Sequence, residues 1–235
     1  VAAAVHGSAS TYEEFEQINV VGTQNAIQAA SEIGAKLVYV STVNVEGFRN
    51  GNLEDPYAAT KSKAEDLVGE AVASGLDGVV VRPATVFGKE QGRAGLLVDR
   101  LLEGSLKVLP APSRRISPVW SNDLAGALIR AAEVGATGST YTIAGPTLST
   151  GDFVRSVCSA AGLKRPLVAI SAWMFVVPLQ LAWWLSILTR WTPPVSVESL
   201  VNGSVHDGVE ASDQLGFKYT DIFEIFGEYR LRDGR

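Results

Sequence analysis

The stretch Gly78-Val-Val-Val-Arg82 follows a helical segment, residues 56–74, that opens on Pro56. Its three valines are consecutive, branched at Cβ and unrelieved by any polar residue. Side chains on a strand alternate between faces, so this one is apolar on both. A strand covered on both faces belongs inside a parallel sheet packed between helices. Working outward, Lys36-Leu-Val-Tyr-Val-Ser41 reads as a second strand of the same kind, and residues 1–5 as a short buried one. Helical periodicity fills the interval 11–33, with Phe15, Ile18, Ala26 and Ala30 suited to one face and Gly34 as the stop. Pro56 sits near the start of the second helix, where its missing N–H costs least. Residues 50–55 read as a turn-rich loop. This alternation predicts an α/β fold with a parallel sheet.

The second half is less regular. Helices are expected at 96–103 and 122–134, and short strands at 107–109 and 139–143. A further helix, 150–161, has Ser149, Thr150 or Asp152 as caps and ends at Gly162. An apolar stretch, the segment Asp213-Gln-Leu-Gly-Phe217 and an acidic-aromatic terminal helix follow.

Bulk properties narrow the function classes. The 235 residues suffice for one core, or one core and a small cap. Hydrophobic content of 46% and charged content of 19% mark a globular chain. A net charge of −5, a pI near 5.1 and no basic run argue against nucleic acid as a partner. Cys158 stands alone, which excludes a disulfide framework and a cysteine zinc site. His6 and His206 are too far apart in sequence to show a metal spacing. The chain opens Val-Ala-Ala-Ala-Val with no charged n-region, so no signal peptide is expected, and the opening reads as that of a fragment.

Tyr57 and Lys61 lie four residues apart in Pro56-Tyr-Ala-Ala-Thr-Lys61, on one face of the predicted helix. A phenol with a pKa of about 10 is a poor base at neutral pH, and an adjacent ammonium lowers it. Thr42, at the end of a strand, offers a hydroxyl to a substrate oxygen. By spacing alone the same pair also reads as a surface helix with a boundary tyrosine.

The order of segments resolves that choice. Asn19-Val-Val-Gly-Thr23, Tyr39-Val-Ser-Thr-Val-Asn-Val-Glu-Gly47, Tyr57-x-x-x-Lys61, Val81-Arg-Pro-Ala-Thr-Val-Phe-Gly88, Pro118-Val-Trp-Ser-Asn-Asp123 and Asp213-Gln-Leu-Gly-Phe217 occur in sequence. This set resembles the extended short-chain dehydrogenase/reductases, which include the NAD-dependent epimerase/dehydratases and the 3β-hydroxysteroid dehydrogenase-like enzymes. The resemblance implies a Rossmann-like doubly wound sheet, N-terminally incomplete, with a small C-terminal substrate-binding cap. Residues 1–88 would form the partial core, with 117–145 returning to it, and residues 89–116 and 146–235 the cap. It implies Tyr57 as acid/base, Lys61 as its electrostatic partner and ribose ligand, and Thr42 rather than Ser41 as the hydroxyl, because Thr42 stands five residues before Gly47. Asn19 would support them from the preceding helix. Ala2, Ala3, Pro83 and Val86 would line the pocket of NAD or NADP.

Departures from the family are equally specific. Its glycine-rich phosphate turn should precede everything seen here, and the first βαβαβ half is expected to be missing. Gly88-x-x-x-Gly92-x-x-Gly95 follows the Arg-Pro strand and is expected to be a flexible substrate-side loop. The interval from Thr42 to Tyr57 is short for the family, and Glu46 stands where an aromatic is common.

Residues 167–189, from Leu167 to Thr189, hold no charge and include Trp173, Trp183 and Trp184. Pro178, Gln180, Ser171 and Ser186 interrupt the run. A soluble cap lining an apolar pocket, a peripheral membrane contact and a spanning helix all stay open. The expected location is the cytoplasm, with membrane association through this stretch left open. The expected activity is NAD(P)-dependent oxidation or reduction of a secondary alcohol or ketone, apolar or sterol-like. A sugar-nucleotide epimerase or dehydratase is the alternative, kept open by the adjacent Arg114 and Arg115, and a non-catalytic family member is the third reading. A small molecule is the expected substrate, and a homodimer through residues 11–33 and 56–74 is implied by the resemblance.

Overall fold

The computed structural model describes residues 11–53, 55–88, 92–163, 168–171, 174, 203 and 205–232. The strand expected at residues 1–5 lies outside them. In chain order the elements are α1 (Tyr12–Glu16), a π-helical turn (Gln17–Val21), α2 (Gly22–Ile33), β1 (Leu37–Val40), α3 (Asn44–Arg49) and α4 (Pro56–Ala73). Then come β2 (Gly78–Pro83), β3 (Thr85–Phe87), α5 (Gly92–Leu102), β4 (Val108–Pro110), β5 (Arg115–Ile116), β6 (Pro118–Trp120) and α6 (Ser121–Val134). The last are β7 (Thr140–Ile143), β8 (Leu148–Ser149), α7 (Thr150–Ala160), β9 (Val168–Ile170), α8 (Val209–Leu215) and α9 (Ile222–Arg232).

Local chemistry sets these boundaries. Thr11 and Glu14 form a reciprocal capping box that starts α1. Asp55 caps α4 by accepting the Tyr57 N–H at 3.0 Å, with Pro56 in the first turn. Ser149 caps α7 by accepting the Asp152 N–H at 2.9 Å. Gly34 closes α2 at φ 64°, a left-handed conformation that a side chain would resist.

The chain divides into two compact units: residues 1–86, 119–145 and 206–219 in one, and residues 87–118, 146–205 and 220–235 in the other. In the first, β1, β2 and β7 form a parallel sheet in that order. Val79 and Val81 of β2 join Tyr141 and Ile143 of β7 against Ala127 and Ala131 of α6 and Ala211 and Leu215 of α8. Val80 faces the other way, with Leu37 and Tyr39 of β1, onto Ala30 of α2 and Ala64 and Val68 of α4. The apolar run at residues 79–81 is thus explained: each valine is buried, on alternating sides of one sheet.

In the second unit β4 pairs with β9 in parallel and β5 with β8 antiparallel. Phe87 packs edge-on against Phe153 at 5.3 Å and stacks on Phe226 at 6.1 Å between centroids. A cavity of about 560 Å³ is lined by Leu109, Pro112, Val154, Arg155, Cys158 and Leu163, among others.

Four expectations change. The helix at 11–33 is interrupted by the π turn, whose wider winding shifts the following residues around the axis. Ile18 is therefore 43% exposed, and Asn19 and Val20 are buried in its place. The segment after Thr42 contains α3, a helix that the periodicity did not show. Gly92 and Gly95 lie inside α5 rather than in a loop, while residues 89–91 are outside the described set. Residues 206–219, read from the sequence as part of the cap, belong to the first unit, because Ala211 and Leu215 complete its core. Tyr219 also accepts the Ala144 N–H there at 3.1 Å.

Among the described residues no helix is long and apolar enough to cross a membrane. Most of residues 167–189 lies outside that set.

Truncation of Leu215, whose side chain is fully buried, to alanine is expected to cost about 3 kcal/mol. Ile33→Ala, at 78% exposure, should stay within about 0.5 kcal/mol of the parent. Urea unfolding of the two variants checks the difference.

Candidate active site

Ligands of open α/β sheets bind beyond the carboxyl ends of the strands, and the Thr42 segment, Lys61 and Pro83 lie at those ends in the first unit. The Ser41 N–H donates to the Val81 carbonyl at 2.7 Å, and the Val43 N–H to the Pro83 carbonyl at 3.2 Å. These two bonds carry the Thr42 segment from the end of β1 to the end of β2. Lys61 reaches the same edge from α4: its Nζ donates to the Val40 carbonyl at 2.8 Å. The ammonium also lies 5.0 Å from the centroid of the Tyr39 ring. Pro83 ends β2 and pairs with Ile143, and Val86 in β3 is half-buried against the core.

Asn19 sits in the π turn and is 2% exposed. Its Nδ2 donates to Thr60 Oγ1 at 3.0 Å. That hydroxyl donates in turn to the carbonyls of Pro56 and Tyr57, each at 3.0 Å. The π turn thereby grips the helical turn between Tyr57 and Lys61. Phe15 adds an edge contact to the Tyr57 ring at 5.9 Å between centroids. Ala2 and Ala3 lie outside the described residues.

Electrostatics at this site oppose one part of the sequence reading. Burial, with the Asp55 carboxylate adding to it, pushes the Tyr57 phenol up to about 12. Burial pulls Lys61 down to about 8, opposed by the charge of Glu65. Desolvation therefore dominates both groups as folded. Desolvation outweighs any lowering of the phenol by Lys61, whose ammonium is turned toward Val40 and Tyr39.

Thr42 is half-buried, and its Oγ1 accepts the Asn44 N–H at 3.3 Å. The neighbouring Ser41 is 4% exposed. Its Oγ is buried without a hydrogen-bond partner among the described residues.

Sequence reasoning missed the cluster beside Lys61. Glu65 accepts two hydrogen bonds from Arg82, at 2.9 and 2.7 Å, and lies 3.3 Å from Arg49. The four-residue spacing from Lys61 to Glu65 was visible, but the arginines come from other elements. Arg114, in the second unit, has a buried Nε without a partner among the described residues, and burial lowers its guanidinium pKa. Burial also raises the Cys158 thiol. Among the described residues no cluster of three or more His, Cys, Asp or Glu side chains could hold a metal.

A mixed α/β core with a parallel sheet and polar side chains at its carboxyl edge defines a Rossmann-like protein. The structure is similar to that of gox2253, with a TM-score of 0.80 at 23% identity, covering 100% of this chain and 77% of that one. It is also similar to the Bordetella bronchiseptica enzyme WbmH in complex with NAD+, with a TM-score of 0.69 at 21% identity over 98% and 74% of the chains. The model of the NAD dependent epimerase/dehydratase family matches residues 1–144, and the chain belongs to that family. A 2-alkyl-3-oxoalkanoate reductase of Stenotrophomonas maltophilia (strain K279a) is 30% identical over 187 residues, 70% of this chain and 57% of that protein. The chain thus spans little more than half of that relative.

The two displaced pKa values predict opposite pH responses. Between pH 8 and 10.5 the unfolded chain holds the Lys61 proton and the native one does not, so this residue makes stability rise with pH across that window. Between pH 10 and 12 the native chain keeps the Tyr57 proton that the unfolded chain has lost, so that contribution falls as pH rises. Thermal unfolding should favour Lys61→Met over the parent increasingly as pH falls from 10.5 to 8, and Tyr57→Phe increasingly as pH rises from 10 to 12.

Proposed function

We propose that the protein interconverts a ketone and a secondary alcohol, with NAD or NADP as hydride carrier and an apolar substrate. The observation that carries this reading is the meeting of Lys61, one turn after Tyr57 on α4, with the Thr42 segment at the carboxyl ends of β1 and β2. The donor set fits a nicotinamide riboside: the buried Lys61 ammonium has three protons and, among the described residues, gives one to the Val40 carbonyl, which leaves donors for ribose hydroxyls. Pro83, which ends β2, and Val86, in β3, would offer apolar contact to the ring. When bound, the nicotinamide supplies or takes up the hydride.

The protein's own residues handle the proton. Tyr57, its phenol pushed up to about 12 by burial, is protonated at neutral pH and holds the proton that a reduced carbonyl oxygen takes up. Lys61, one turn on, stabilises the phenolate left behind. The Thr42 hydroxyl donates to the same substrate oxygen, and the Asn19–Thr60 bond holds the turn that carries Tyr57. The apolar substrate class is supported by the uncharged run at residues 167–189 and by the relative's alkyl ketone. The second unit is then the substrate cap. The reading includes a homodimer through residues 11–33 and 56–74, supported by the exposed apolar side chains of Tyr12, Ile18 and Ile33.

The test is reduction of 3-oxoalkanoates of increasing chain length by the full-length protein, with NADH and NADPH in parallel. Tyr57→Phe should lose at least about 100-fold in turnover while calorimetry shows the cofactor still bound. Undiminished turnover in that variant would reject Tyr57 as the acid.

A further inference from the structure

Glu65 stands one turn after Lys61 on the same face of α4. Its side chain is only 5% exposed, so protein rather than water must answer its charge. Arg82 at the end of β2 does so with a fork: Nε donates to Oε1 at 2.9 Å and Nη2 to Oε2 at 2.7 Å. Arg49 of α3 brings a second cation to 3.3 Å from Oε2. Both arginines are held from outside as well. Glu46 lies 3.1 Å from Arg82, Asp66 lies 2.6 Å from Arg49, and Ser62 Oγ accepts the Arg49 Nε–H at 2.9 Å. Around Lys61 stand the Val40 carbonyl and the Tyr39 ring from β1, and Tyr57 and Glu65 from its own helix.

Packing alone does not call for this arrangement. A buried ion pair costs desolvation that apolar residues of similar volume would avoid. The cluster also lies where charge matters, joining the helical turn after Lys61 to the residue before Pro83. Lys61 has lost most of its water, and its other neighbours from β1 are a carbonyl and a ring, neither of which carries a formal negative charge.

We propose that Glu65 is a positioning residue for Lys61: braced by Arg82 and Arg49, it fixes the Lys61 turn against the end of β2 and supplies the carboxylate that keeps the ammonium charged. The role rests on the reading of Lys61 as the partner of Tyr57. It is tested without turnover, so the two can fail separately.

The measurement is the NMR titration of Lys61 Nζ in this chain, assigned by its loss in Lys61→Met. In Glu65→Gln the midpoint should fall by about one unit, and Glu65→Asp should recover most of the shift. A folded Glu65→Gln with an unchanged Lys61 midpoint overturns the proposal, since a merely structural ion pair would change stability alone. Should the single variant fail to fold because Arg82 is stranded, Glu65→Gln is made in an Arg82→Gln background and its Lys61 midpoint is compared with that of Arg82→Gln alone. The midpoint should fall there too, and an unchanged one again overturns the proposal. A midpoint that shifts as expected, beside turnover that survives Tyr57→Phe, would support the electrostatic role of Glu65 and reject the catalytic reading.

Discussion

The burial of one ammonium governs the site. Lys61 is 3% exposed on a helix that packs against the sheet, so its charge loses water that the fold must replace. The replacements come from three directions: the Val40 carbonyl at a strand end, the face of Tyr39, and Glu65 one turn along α4. Each requires β1 or α4 in a definite place. The carbonyl lies at the carboxyl edge, where β1 ends after Val40. The ring is available because Tyr39 alternates to the α4 side of the sheet. The carboxylate can stay charged because Arg82 and Arg49 arrive from β2 and α3.

That dependence links the core to the chemistry. Parallel pairing of β1 with β2 brings the ends of both strands to one edge, and the register sets Val40 beside Val81. The next residues, Ser41 and Val43, stitch onto β2 by backbone bonds, which delivers Thr42. From the other side the π turn inserts Asn19 beneath α4, where ordinary winding would have brought Ile18 inward. Winding of this kind is common where function needs a side chain in an unusual place. Here it exchanges an apolar contact for a bond to the turn between Tyr57 and Lys61.

Much of this was legible before the structure. The valine run announced a doubly covered strand, and Tyr57 with Lys61 on one helix face followed from spacing. Three features were not legible. The π turn leaves no mark in a 3.6-residue pattern, because it is a single extra residue per turn absorbed locally. Segment α3 is six residues long, too short to display a period. The Glu65 cluster joins residues 46, 49, 65, 66 and 82, and no local pattern ties an arginine on a strand to a glutamate on the helix before it.

The sequence by itself determined the fold class, the order of elements and the identity of the polar side chains that meet at the sheet's edge. Hydrophobic periodicity and capping are local, and they act through neighbours a few residues away. Only the tertiary structure decided which of those side chains are charged, which are paired and which way they point. Desolvation depends on everything packed around a group, and it pushes Tyr57 up and Lys61 down. The same holds for residues 206–219, whose place in the first core was decided by where Ala211 and Leu215 could be buried rather than by their position along the chain.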